Sequence, residues 1–169
     1  IDTVLIEFDP AGSLATTHDG HGSDMGLFGG LLGWEAYDER LPDSEKAILD
    51  AGIDVKIDIV EIGYLHPNTY KITLANQEES RCVVAISTGG GMIEVIEIDG
   101  AQVSMAGDYC ETLIFLEPTV DVPARIEKMI VSIGKMIVSD EVGLREGRAR
   151  FIEIKSQEFP DGRVLEEVA

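Results

Sequence analysis

Three segments of the chain alternate apolar and polar residues with a period of about two: Val55-Lys56-Ile57-Asp58-Ile59-Val60-Glu61-Ile62, residues 70–74, and Ile93-Glu94-Val95-Ile96-Glu97-Ile98. Alternation turns one face of an extended chain toward a core and the other toward water. These segments therefore predict half-exposed strands of one antiparallel sheet. Between them lie His66-Pro67-Asn68-Thr69 and Ser87-Thr88-Gly89-Gly90-Gly91, where a proline and three consecutive glycines force turns. Upstream, Thr3-Val4-Leu5-Ile6-Glu7-Phe8 reads as a strand. A helix is expected from Asp24 to Leu32, its glycines at 26, 29 and 30 implying close approach to another backbone. Pro42-Asp43-Ser44-Glu45 begins a second helix that Gly52 closes.

After Gly107 the pattern restarts with a strand at 112–116, a helix at 122–133, strands near 136–142 and 148–155, and a truncated helix at Asp161. Ile126, Met129, Ile130 and Ile133 have the spacing of a packed helix face. The fold class implied is α+β: a domain at 1–106 with a mainly antiparallel sheet and two helices, then a truncated ferredoxin-like module at 107–169. The chain starts at Ile1 without an initiator Met and stops at Ala169 in what reads as the first turns of a helix, so a fragment or excised domain is expected.

An apolar content of 44% in 169 residues suffices for a real core. The net charge of −19, from 32 acidic against 13 basic residues, argues against nucleic acid or an anionic membrane as partner, since both are held by clustered Lys and Arg. No window approaches the ~18 uninterrupted apolar residues of a membrane span, and no basic segment leads into an apolar one. A cytoplasmic location is the expectation. Cys82 and Cys110 form no CxxC pair and have no adjacent histidine, so no metal site is expected within this chain.

Residues 12–24, Gly-Ser-Leu-Ala-Thr-Thr-His-Asp-Gly-His-Gly-Ser-Asp, make a polar loop feeding a helix start, a place where backbone N–H groups, hydroxyls and an imidazole gather near a small anionic or zwitterionic ligand. His21, between two glycines that let a ligand approach its ring, is the candidate proton acceptor or substrate anchor. The ordinary alternative is a loop histidine bonded to a backbone carbonyl. His18 reads as a solvated loop residue without a role. His66 and Asn68 are candidate ligand or partner contacts, against the plainer reading of a tight Asx-type connection. Ser13, Gly22 and Ser23 are candidate substrate contacts, although Ser23 or Asp24 as a simple helix cap explains itself without a ligand. Ser87, Gly89 and Gly90 offer a hydroxyl and N–H groups for a carboxylate, or simply a wide turn. No Lys-Ser/Thr follows the glycines, which argues against a phosphate loop. Trp34 and Phe28 read as core or interface anchors.

Taken in order and spacing, Gly12-Ser13-Leu14-Ala15 with Gly20-His21-Gly22-Ser23-Asp24, then His66-Pro67-Asn68-Thr69, Ser87-Thr88-Gly89-Gly90-Gly91 and Ile98-Asp99-Gly100, resemble the beta chain of iron-sulfur-dependent L-serine dehydratases over roughly residues 3–105. The tail is similar to the regulatory ACT domain that follows in two-chain members. The resemblance implies a domain like an allosteric substrate-binding domain, packed on an alpha chain that ligates a [4Fe-4S] cluster, in a homo-oligomer. It also implies the reaction: the cluster acts as Lewis acid on the hydroxyl of L-serine, a base removes the α-proton, and the aminoacrylate formed hydrolyses to pyruvate and ammonia, a product that feeds gluconeogenesis. Three departures from the pattern stand out. A serine-rich, histidine-containing segment that precedes the first strand in the family is missing. Thr88 replaces isoleucine in the serine-isoleucine-triglycine motif. Asp121-Val122-Pro123-Ala124 has alanine where effector-binding ACT domains have glycine, so a structural or dimer-forming module is expected there.

Overall fold

The computed structural model describes residues 1–116, 142–160 and 162, and the chain divides into two compact units, Ile1–Ile93 and Glu94–Ala169. Its class is α+β, with a mostly antiparallel set of strands and few helices.

In the first unit, β1 (Thr3–Phe8) is followed by α1 (Leu14–Thr17), α2 (Ser23–Leu31), a 3-10 turn (Leu41–Asp43) and α3 (Ser44–Asp50) before β2 (Asp54–Ile59), β3 (Thr69–Ala75) and β4 (Ser80–Gly89). The strand order is β2-β1-β3-β4, which puts β1 inside the sheet. Its alternate residues Val4, Ile6 and Phe8 are buried and stand opposite Leu74, Ile72 and Tyr70 of β3. Each such aliphatic or aromatic side chain contributes about 1.5–3 kcal/mol by leaving water. Phe28 of α2 and Ile48 of α3 are buried as well, and the Ser44 hydroxyl ties α3 to the Met25 carbonyl of α2 at 3.1 Å.

One expectation is corrected here. β2 is a strand, but it pairs parallel to β1, Thr3 against Asp54 through Phe8 against Ile59, while β3 and β4 are antiparallel. Alternation specifies that a segment is extended and says nothing of its direction. The intervening helices supply the long crossover that a parallel pair needs. The glycines of α2 also differ from expectation: Gly29 alone is in close approach, and its neighbour is the Leu41 side chain rather than a backbone, while added Cβ atoms at Gly26 and Gly30 would meet nothing within 4 Å.

In the second unit, the end of β5 (Met92–Ile98) and β6 (Ala101–Met105) form a hairpin through Asp99-Gly100. Both turn residues have positive φ, 50° and 83°, as a type I′ turn requires. β7 (Cys110–Phe115), β8 (Val142–Glu146) and β9 (Arg150–Ser156) form an antiparallel sheet with β9 in the middle, and Phe151, Ile152 and Ile154 of β9 are fully buried. The expected helix at 122–133, residues 136–141 of the strand expected after it, the alanine-containing segment at 121–124 and the helix begun at Asp161 lie outside the described residues. The units divide inside β5, and within the second the hairpin is held to the tail. Arg148 donates to both the backbone and the carboxylate of Asp99, and the Lys155 ammonium donates to the Ser104 carbonyl.

Candidate functional site

The loop leaving β1 is fixed by main-chain donors. Asp9 accepts from Ala11 N at 2.9 Å and from Ile62 N at 3.1 Å, and those two hydrogen bonds hold its carboxyl below the usual carboxylate range. Its own N–H donates to the Thr69 carbonyl at 3.0 Å. Gly12 then presses on the His66-Pro67-Asn68 segment so closely that a Cβ there would lie 2.1 Å from the Pro67 carbonyl oxygen. Only glycine fits at that point.

Asn68 gathers three of the sequence motifs. Its Oδ1 accepts from the Ser13 hydroxyl and from Leu14 N, both at 3.2 Å, so a residue distant in sequence satisfies an orphan N–H of α1. Its N–H donates to His66 Nδ1 at 3.2 Å, and its carbonyl accepts from Ser87 N at 3.0 Å. Thr69 Oγ1 closes the turn on the His66 carbonyl at 2.6 Å. The structure thus brings together Ser13, His66, Asn68 and Ser87.

A cavity of about 330 Å³ opens in the same unit. Phe8, Leu14, Leu27, Tyr70 and Ile93 supply apolar walls, Ser23 and Ser87 bring hydroxyls, and Gly26 and Gly91 complete the described lining. None of these residues carries a formal charge. Burial pushes the Tyr70 phenol up from its ordinary value, so it stays a neutral donor. Of the expected contacts, Ser23 and Ser87 line the cavity. His21 is exposed on the loop before α2, Gly22 is half-buried beside it, and Gly89, at the end of β4, and Gly90, in the turn after it, are exposed with positive φ.

Two further expectations are corrected. Neither Ser23 nor Asp24 caps α2: Gly22, left-handed at φ 74°, occupies the cap position, and the His18 carbonyl takes the Ser23 and Asp24 N–H groups at 2.8 and 3.3 Å. Nor is His18 a solvated loop residue. Its Nδ1 lies 2.8 and 2.7 Å from the two Asp24 oxygens, and its ring stacks on Phe8 at 4.9 Å between centroids and 17° between planes. The sequence signal for this pair is modest: a histidine and an aspartate six apart, separated by glycines at 20 and 22 that let the chain turn back.

Among the described residues no three His, Cys, Asp or Glu side chains group as a metal site, and Cys82 on β4 and Cys110 on β7 form no disulfide. Such a donor set does not fit a [4Fe-4S] cluster, which needs several converging thiolates. No helix is long and apolar enough to cross a membrane among the described residues.

No family model matches the chain. Among curated proteins, it is 28% identical over 169 residues to the probable L-serine dehydratase beta chain of Bacillus subtilis, covering 99% of this chain and 76% of that protein. It is 34% identical over 111 residues to the L-serine dehydratase beta chain of Peptoniphilus asaccharolyticus, covering 64% of this chain and 50% of that one. The first alignment runs nearly the whole length of both units; of the expected residues, Ser13, His66 and Ser87 meet Asn68, and Ser23 and Ser87 line the cavity. Along nearly its whole length the chain is similar to L-serine dehydratase beta chains.

Proposed function

We propose that this chain is the beta component of an iron-sulfur-dependent L-serine ammonia-lyase, converting L-serine to pyruvate and ammonia by α,β-elimination with a separate alpha chain. The observation that carries the reading is the meeting of Ser13, His66, Asn68 and Ser87 through one asparagine, in a chain related along its length to dehydratase beta chains. A volume of about 330 Å³ lies within the ~300–1,000 Å³ range of small-molecule sites.

The [4Fe-4S] cluster belongs to the alpha chain in this reading, and when bound it supplies Lewis acidity. This chain's residues bind, orient and move a proton. The exposed His21 imidazole takes the Cα proton of the substrate, and Ser13, Gly22, Ser23, His66, Asn68, Ser87, Gly89 and Gly90 form the surrounding contact surface. Because the described cavity lining is uncharged, the ammonium and carboxylate of serine are met by His66, by main-chain donors or by the partner. Residues 107–169 serve as an ACT-like structural or dimer-forming module, for which the antiparallel β7-β9-β8 order is the support, and the assembly is a cytoplasmic homo-oligomer of two-chain units.

In the assembled enzyme, His21→Ala abolishes pyruvate formation while leaving this chain folded; retained turnover would contradict the assignment. One observation favours a second reading, a non-catalytic module that senses an amino acid: Ser23 and Ser87 line the cavity, whereas the cavity-lining residues include no imidazole. A His21→Ala enzyme that keeps its maximal rate and loses cooperativity toward L-serine would select that reading.

A further inference from the structure

We infer that His18 and Asp24 form an orienting clasp for the loop that presents His21, which makes Asp24 a positioning residue for the reaction. The inference rests on the dehydratase reading. His18 is held in two directions at once: Asp24 grips its edge with both carboxylate oxygens, and Phe8, itself buried, fixes its plane. With 21% and 16% of their side chains exposed, the two partners sit largely out of water. An exposed ion pair is worth little, but a pair pinned on an aromatic ring holds one geometry without searching many.

Residues 18–24 close into a loop at two levels. The His18 carbonyl accepts from Ser23 N and Asp24 N at the base, His21 N donates to the Thr17 carbonyl at 2.9 Å, and Gly22 N donates to Asp19. The side-chain clasp joins the first and last residues of the same loop, and His21 stands midway between them with glycine on either side. Glycine neighbours give His21 access to a ligand and also freedom to wander, which the clasp offsets. The clasp also ties the loop to the cavity wall, since Phe8 and Ser23 both line the cavity.

Proton placement follows from the same contacts. A carboxylate only accepts, so His18 carries its proton on Nδ1, and in the neutral ring Nε2 keeps its lone pair. His66 is the reverse. Asn68 N donates to its Nδ1, so the neutral ring carries its proton on Nε2.

The test uses the two-chain enzyme under anaerobic conditions, beside long-range ¹H–¹⁵N imidazole spectra of this chain, whose three histidines are resolvable. Asp24→Ala lowers kcat for pyruvate formation by about 10²-fold, the scale of a reacting group displaced by about 1 Å, with KM for L-serine changed less than about threefold. His18→Asn, whose amide nitrogen replaces Nδ1 as donor to Asp24, keeps kcat within about tenfold of wild type, and its use covers the case in which Asp24→Ala fails to fold. In the spectra, wild-type His18 is protonated on Nδ1 and His66 on Nε2, and Asp24→Ala releases His18 alone. Unchanged kcat in Asp24→Ala, a rise in KM alone, or a wild-type His18 protonated on Nε2 would each overturn the clasp's role. Absence of pyruvate from the wild-type complex would overturn the dehydratase reading, and the positioning role with it. The spectra distinguish that failure from loss of the clasp itself.

Discussion

In the first unit the polar frame of the loop after β1 is answered by main chain: Asp9 takes two backbone N–H groups, and Asn68 takes one through its side chain while its own N–H and carbonyl are both engaged. In the second unit charged side chains on strand faces answer one another. Glu153, 1% exposed, pairs with Arg145, and Lys155, 6% exposed, sits 3.4 Å from Glu111. One carboxylate oxygen of Glu111 and one of Glu153 are buried without a hydrogen-bond partner. Backbone donors do not titrate, so the first frame persists through neutral pH. The second depends on how many protons its carboxylates hold. Burial pushes the Glu111 carboxyl up to about 7 against the pull of Lys155, with Glu153 pushing the same way as burial.

The largest expected effect tests the second arrangement. Lys155→Met removes the cation beside the buried Glu111 carboxylate, and urea unfolding at pH 8 should show a loss of about 3–5 kcal/mol, the usual cost of breaking a buried pair from one side. The loss shrinks at pH 5, where Glu111 holds its proton. Gly12→Ala makes the matching attack on the first unit. Its Cβ collides with the Pro67 carbonyl, and a destabilisation of about 3 kcal/mol is expected at every pH.

Glu111→Gln sharpens the contrast. A carboxyl whose folded pKa is raised binds its proton more tightly in the native state, so its effect on stability is most favourable below the unfolded value of 4.5 and is lost as pH rises toward about 7. Wild-type stability should fall across that window, and the glutamine variant should be flatter. For Asp9 the sign is opposite. Its lowered folded pKa gives stability that is present above the ordinary value of 3.8 and lost as pH falls through the folded one, a dependence that Asp9→Asn removes in acid-unfolding curves. The smallest effect is the control: Lys46→Ala deletes an exposed i,i+4 pair with Asp50 and should change stability by about 0.3 kcal/mol.

The same contrast explains what the sequence discloses. Strand positions were legible because alternation is local: the segments at 3–8, 70–74, 93–98 and 148–155 all lie on observed strands in whole or large part. The direction of β2 was not, since it depends on the helices that intervene. At the site, the polar loop before α2 and the His66-Pro67-Asn68 turn were visible as unusual local chemistry. That Asn68 joins them, and that His18 pairs with Asp24, depends on the chain returning to itself across residues 12–68 and 18–24. The cavity walls come from β1, α1, α2, β3 and β5, and no single window of sequence contains them.

Anaerobic co-expression of this chain with the alpha chain of an L-serine dehydratase, followed by assay of pyruvate formed from L-serine, tests the central claim most directly. The account predicts a complex whose pyruvate formation requires both chains. A purified complex with an intact cluster that forms no pyruvate from L-serine would contradict it.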